Sequence, residues 1–154
     1  MVASRSPAAG RPPAAGRPPA LDGVLETALY VEDMGRAIGF YEDVLGLARL
    51  VVDERLVAFD AGRRTVLLLF RRGSTLETAV MPGGTIPSHD GHGPVHIAFA
   101  VAAADLPAFE RHLADVGVAI EGRTRWPRGG DSIYFRDPDS HLVELATPGL
   151  WTTY

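Results

Sequence analysis

The sequence predicts an α+β fold of two tandem βαβββ modules, and two observations lead there. One order of strand-like and helix-like patterns occurs twice, and the paired strings match with an offset that grows along the chain. LETALYV (25–31) aligns with VHIAFAV (95–101) at an offset of 70, and LGLA (45–48) with VGVA (116–119) at 71. VAFD (57–60) then aligns with IYFR (133–136), and VLLL (66–69) with LVEL (142–145), both at 76. The growing offset places insertions in the connections. Neither four-stranded sheet can bury its face alone, so the modules must combine.

In the first module, residues 25–31 alternate like a half-buried strand and stop at Glu32-Asp33. Met34, Ala37, Ile38, Tyr41, Val44 and Leu45 then recur at helical spacing, with Asp33 as N-cap and Gly46 as stop. Three short β-like runs follow at 48–53, 56–60 and 65–71, the last two joined by an Ala-Gly-Arg-Arg turn. In the second module, 95–101 is the strand. Asp105 caps a helix carrying Leu106, Phe109, Leu113 and Val116 that ends at Gly117. Strands are expected at about 118–124, 131–136 and 141–147. The modules thus span about 25–71 and 95–147. The insert 72–94, rich in Gly, Pro, Ser and His, is of the length at which loops are usually functional or mobile. The segment from Arg125 to Gly130 is a second candidate lid.

Composition bounds the rest. The 154 residues suit one domain with a tail, 21–154 being the folded body. Residues 1–20 hold five of the twelve prolines, three arginines, no acid and the hexapeptide AAGRPP twice, which reads as a disordered, polyproline-leaning extension. Without it the body has 12 basic and 19 acidic residues, a formal charge of −7. That balance offers no nucleic-acid footprint, and no apolar run reaches the ~18 residues of a membrane span. Zero cysteines exclude thiolate zinc sites, cysteine nucleophiles and disulfides, and fit a cytoplasmic setting.

Strand periodicity sorts the chemistry onto one face. In 95–101, Val95, Ile97, Phe99 and Val101 oppose His96, Ala98 and Ala100; in 25–31, Leu25, Thr27, Leu29 and Val31 oppose Glu26, Ala28 and Tyr30. Glu26 and His96 occupy equivalent positions, each with small neighbours. Glu144 shares a face with Leu142 and Ala146. Burying a carboxylate without a partner costs several kcal/mol. A divalent cation (Mn, Fe, Co, Ni or Zn) relieves that cost for two carboxylates and an imidazole. The rival arrangement pairs each Glu with an arginine and leaves His96 merely hydrogen-bonded. His89 and His92 read as solvated loop histidines that gate substrate, His112 as a surface residue, and His141 as alternating away from Glu144.

On LETALYVEDMGRAIGFYEDVLGL, GPVHIAFAV and FRDPDSHLVEL, residues 25–147 resemble the vicinal-oxygen-chelate superfamily of glyoxalases, bleomycin-resistance proteins, extradiol dioxygenases and fosfomycin-resistance enzymes. The resemblance implies that the two modules form a cup-shaped, mostly antiparallel sheet with a helix outside each. It further implies that one metal is held at Glu26, His96 and Glu144. HIAFAVAAADLPAF and GDSIYF are similar to the fosfomycin-resistance thioltransferases, which implies substrate contacts at Ser132 and Tyr134. The position that supplies a fourth ligand in many glyoxalases is Leu68, which cannot coordinate, and Glu26 stands where many relatives have His. The expected function is a metal-dependent, glyoxalase-like lyase or isomerase acting on a small oxygenated substrate, with Glu26 doubling as base. Tyr30, Ser132, Tyr134, Arg125 and Trp126 are its candidate substrate contacts. Alternatives are an extradiol-type dioxygenase, a thioltransferase, or a metal-free antibiotic-binding protein lined by Tyr30, Phe70, Trp126 and Tyr134. The resemblance also favours a homodimer, with Leu150-Trp151 as a possible seal.

Overall fold

The computed structural model describes residues 18–154; the expected disordered tail lies almost wholly outside them, in residues 1–17. The first module runs β1 (Glu26–Val31), α1 (Met34–Gly39), β2 (Ala48–Val52), β3 (Leu56–Asp60) and β4 (Val66–Arg71). After a short hairpin, β5 (Ala79–Met81) and β6 (Gly84–Ile86), the second module runs β7 (His96–Ala100), α2 (Leu106–Asp115), β8 (Gly122–Arg125), β9 (Asp131–Arg136) and β10 (Leu142–Ala146). Among these residues no helix is long and apolar enough to cross a membrane.

Both sheets have the same topology, β1-β4-β3-β2 and β7-β10-β9-β8. In each, the first strand pairs parallel with the last and the other pairings are antiparallel. The registers match as well. Glu26 lies opposite Val66 as His96 lies opposite Leu142, and Ala58 opposite Leu68 as Tyr134 opposite Glu144. The repeat in the sequence is therefore a repeat in space, with Leu68 at the place of Glu144.

Alternation dictates where the core sits. Leu29, Val31, Val57, Phe59, Leu67 and Leu69 of the first sheet are buried. They share one apolar cluster with Ile133, Phe135, Val143 and Leu145 of the second. The helices contribute Ala37, Phe40, Tyr41, Val44 and Leu113 to the same cluster, so they cover the faces opposite Glu26 and His96. One chain thus spends the inner faces of both sheets on a single core and leaves the outer faces open. Within it the two sheets do not run on into one another.

Three expectations need correction. The first helix is not one α-helix to Leu45; after Gly39 it widens to a π-helical turn over Phe40–Val44. Gly35 and Gly39 in so short a helix weaken the regular ladder. Asp33 does cap it, its Oδ1 accepting from the Arg36 N–H at 3.0 Å. Strand β8 begins at Gly122, not near 118, because Val118 N–H still closes the helix end by donating to Leu113 O at 2.8 Å. The insert is not wholly loop: Pro82-Gly83 turns a hairpin between β5 and β6.

A buried polar relay ties the modules together. Tyr41 Oη donates to Asp137 Oδ2 at 2.9 Å, and Asp137 Oδ1 accepts from the His141 N–H at 2.8 Å. The His141 ring, 1% exposed, accepts at Nδ1 from the Val95 N–H and donates from Nε2 to Tyr30 O, both at 3.1 Å. Both ring nitrogens are thereby taken up in holding backbone. Asp139 Oδ1 also accepts from the Glu32 N–H at 2.7 Å. Sequence reasoning missed this relay. His112 is likewise no free surface residue, since its Nε2–H donates to Asp43 O at 3.2 Å.

Candidate metal centre

His96 opens β7 and Glu144 lies in the adjacent β10, so the parallel pairing sets them side by side on the open face. Nε2 of His96 is 3.1 Å from Oε2 of Glu144. The other ring nitrogen, Nδ1, lies 3.1 Å from Leu142 O. A carbonyl only accepts, so Nδ1 carries the proton, and the Nε2 lone pair of a neutral ring faces a carboxylate oxygen. The Glu144 side chain is only 6% exposed, which makes that repulsion costly. A proton on Nε2 or a cation between the two groups relieves it. The backbone-anchored Nδ1–H is the support that metal-ligating histidines usually have. The donor set therefore fits a divalent ion.

Tyr134, opposite Glu144 on β9, donates its hydroxyl to Oε1 at 3.1 Å. Burial and the hydrogen bond to Glu144 raise the phenol above its ordinary pKa, so it remains a donor. One carboxylate oxygen is thus held by Tyr134 and the other faces His96.

Glu26 is placed apart from this pair. It begins β1 and lines a groove of about 1060 Å³ between the first sheet's open face and the β5–β6 hairpin. Among the described residues no three of His, Asp or Glu converge to hold a metal.

The family model of the Glyoxalase/Bleomycin resistance protein/Dioxygenase superfamily matches residues 23–145. The chain belongs to this superfamily. The metallothiol transferase FosB of Bacillus licheniformis is 35% identical over 126 residues, covering 81% of this chain and 75% of the relative. That of Shouchella clausii is 33% identical over 129 residues, covering 82% and 81%. Among solved structures, a lactoylglutathione lyase from Agrobacterium tumefaciens superposes with a TM-score of 0.77 at 33% identity, covering 88% of this chain and 98% of that one. The fosfomycin resistance protein FosX from Mesorhizobium loti superposes with a TM-score of 0.60 at 25% identity, covering 85% and 96%.

The remaining candidates of this glyoxalase-superfamily chain fall into two groups. Beside the His96–Glu144 pair, Ser132 is 1% exposed and its Oγ accepts from Trp126 Nε1–H at 2.8 Å. Arg125 ends β8 at the surface, opposite Asp131. On the first sheet, Tyr30 lines the groove with Glu26. Tyr30 Oη lies 2.6 Å from His89 Nδ1, and burial raises the phenol above its ordinary range, so it donates and His89 accepts. His89 also packs edge-on against Phe70, with centroids 4.9 Å apart, and its backbone bonds twice to Thr75. His89 is therefore exposed, as a loop histidine would be, but it is clamped to the groove rather than free. His92 is exposed. The signal for the clamp was weak, because a Tyr–His contact across 59 residues leaves no local pattern.

Proposed function

We propose that this chain is a thiol-using metalloenzyme that acts on an oxygenated electrophile, its metal held by His96 and Glu144 of one chain and Glu26 of a second copy. The His96–Glu144 pair carries the reading. It sets two donors 3.1 Å apart on an open face with their partners already fixed. A third donor from the same chain is lacking among the described residues, while Glu26 stands on an equally open face. Two chains related by a two-fold axis would bring each first-module face against its partner's second-module face, giving two equivalent sites.

A divalent ion at these donors would polarise a substrate oxygen. The chain's own groups do the rest. Tyr134 holds the Glu144 carboxylate in place, and Trp126 fixes the buried Ser132 beside it. Arg125 stands at the rim as a cation for an anionic group, and Tyr30 borders the opposite wall. Thiol use is supported by the relatives: metallothiol transferases at 31–35% identity, and a lactoylglutathione lyase at 33%. A cytosolic setting, where small thiols are abundant, is consistent with a chain free of cysteine.

A second reading, lyase or isomerase chemistry, is favoured by Glu26. Its carboxylate forms no hydrogen bond or ion pair among the described residues, so it is free to take a proton from a carbon acid.

A mixing experiment tests the shared site. Glu26→Ala and His96→Ala chains should each purify folded and metal-poor. Unfolded together and refolded as a mixture, they should regain metal in the mixed dimers, one intact site each. Failure of the mixture to gain metal over either variant would sink the shared site. Loss of thiol consumption with electrophile in the same variants then ties metal to activity.

A further inference from the structure

The buried ring of His141 does more than join the modules. We infer that His141 is a positioning residue of the metal centre: it sets the backbone that aims the His96 imidazole, while bonding to neither His96 nor Glu144. The inference rests on the metal reading above. His96 is the first residue of β7, an edge strand paired only with β10. The chain reaches it through Gly93, at φ 82°, and Pro94, which has no N–H to give. Such a strand end frays unless something holds it.

The parallel ladder stops one rung too early to do so. Leu142 N–H donates to Val95 O at 2.8 Å, and the next rung would take the Val95 N–H to Ser140 O. Ser140, however, sits at φ 68° in a turn closed by its N–H donating to Asp137 O, and its carbonyl accepts from Arg136 Nη1 at 3.0 Å. Nδ1 of His141 supplies the missing acceptor, 3.1 Å from the Val95 nitrogen. The residue is itself held at two places. Asp137 Oδ1 accepts from the His141 N–H at 2.8 Å, and the ring donates from Nε2 to Tyr30 O at 3.1 Å. Leu142 O, the next carbonyl along, then accepts the His96 Nδ1–H at 3.1 Å. Two adjacent residues thus fix both the backbone before His96 and the His96 ring.

The duplication supplies a comparison within the chain. At the offset of 76, Ser140 corresponds to Arg64, also at positive φ (66°), and His141 to Thr65. Thr65 carries no ring, and its hydroxyl reaches Val24 O only at 3.5 Å, the limit of a hydrogen bond. The strand that begins with Glu26 therefore lacks this brace. The imidazole stands in the module whose two donors are already side by side, where a displaced ligand does most harm. Metal ligands must sit within about 0.2 Å of their ideal distances.

Two variants of the full chain divide the ring's two bonds. His141→Asn keeps an amide oxygen near the Nδ1 position for the Val95 N–H and loses the donor to Tyr30 O. His141→Gln keeps an amide N–H near the Nε2 position and loses the acceptor. Both should lower the melting temperature. Titrated with cobalt(II), His141→Gln should bind roughly 10- to 100-fold more weakly than wild type, with an altered visible absorption spectrum, and His141→Asn only a few-fold more weakly. Without metal, nitrogen NMR of the His96 ring should show the proton on Nδ1 in wild type and His141→Asn, and a mixture of tautomers in His141→Gln. Equal cobalt affinity in the two variants, kept or lost, beside a wild type that binds, would overturn the inference alone. A wild type that takes up no cobalt defeats the metal reading. The ring signals then decide: divided between the variants, they leave His141 as the residue that aims His96, and alike in both, they defeat the inference too.

Discussion

Tyr41 shows how much a single side chain can hold. Its ring is fully buried against Phe40 and Phe59, and its hydroxyl donates to Asp137, itself only 5% exposed. Burial first, and the Asp137 carboxylate second, push the phenol far above its ordinary pKa of 10. The folded chain therefore holds this proton more tightly than the unfolded chain does. Stability from the group is complete below about pH 10 and falls as pH rises beyond it. Tyr41→Phe should cost about 1–3 kcal/mol at neutral pH, because Asp137 loses a donor, and should flatten that alkaline limb. Urea unfolding at pH 7 and above pH 10 checks both. At the proposed metal site Tyr134→Phe leaves the candidate donors in place but frees one Glu144 oxygen. Metal affinity should fall roughly 10- to 100-fold, the usual cost of losing an outer partner, while the melting temperature of the metal-free protein hardly moves. Competition with a chelator reads the change.

Among the elements, the turn joining β3 to β4 holds two of the three non-glycine residues at positive φ among the described residues, the third being Ser140. Arg63 and Arg64 sit at φ 50° and 66°, inside a turn closed by the Thr65 N–H donating to Gly62 O at 2.9 Å. Two consecutive positive φ values are what a type I′ turn demands, and glycine or asparagine meets them without the Cβ penalty. Arg64→Gly should stabilise the chain by about 0.5–1 kcal/mol in denaturant titration, the relief outweighing the added freedom of the unfolded state. The C-terminal turn has the opposite constraint. A Cβ on Gly149, at φ 110°, would meet Gly130 N at 2.5 Å and Arg128 O at 3.0 Å, and both contacts are backbone. Gly149→Ala should therefore loosen the 126–130 loop, read as a lowered melting temperature and a loss of Trp126 ordering in its fluorescence anisotropy. Strand boundaries were legible in the sequence where alternation and turn residues agreed, as at 56–60 and 131–136. They were less so at β8, where Val118 and Ile120 look strand-like yet pack behind the end of α2. Local composition cannot tell those two uses of a β-branched residue apart.

For the whole molecule, the two modules are joined by a shared apolar core and by the relay through His141. Removing its ring takes the acceptor from the Val95 N–H and leaves Tyr30 O with the Arg72 guanidinium alone, at 3.3 Å. His141→Ala should cost about 2–4 kcal/mol, from the lost hydrogen bonds and the vacated volume. Because both module ends meet at this ring, unfolding should stay a single transition at a lower denaturant midpoint; two separated transitions would show that the modules are held by other contacts.

What the sequence determined by itself was the duplication, the face of each strand and the candidate donors: Glu26 and His96 at equivalent places, and Glu144 where the first module has Leu68. Those properties follow from the two-residue period of a strand and from the piecewise repeat, both local. Tertiary structure alone decided which donors meet. Parallel pairing of β7 with β10 unites His96 and Glu144, whereas a core shared by both inner faces leaves Glu26 on a separate open face. It also decided that the insert folds back, with His89 on Tyr30 and Phe70, to wall a groove. Periodicity names the face a side chain occupies. Which faces come together depends on packing between residues far apart in the chain, where the pattern carries no trace.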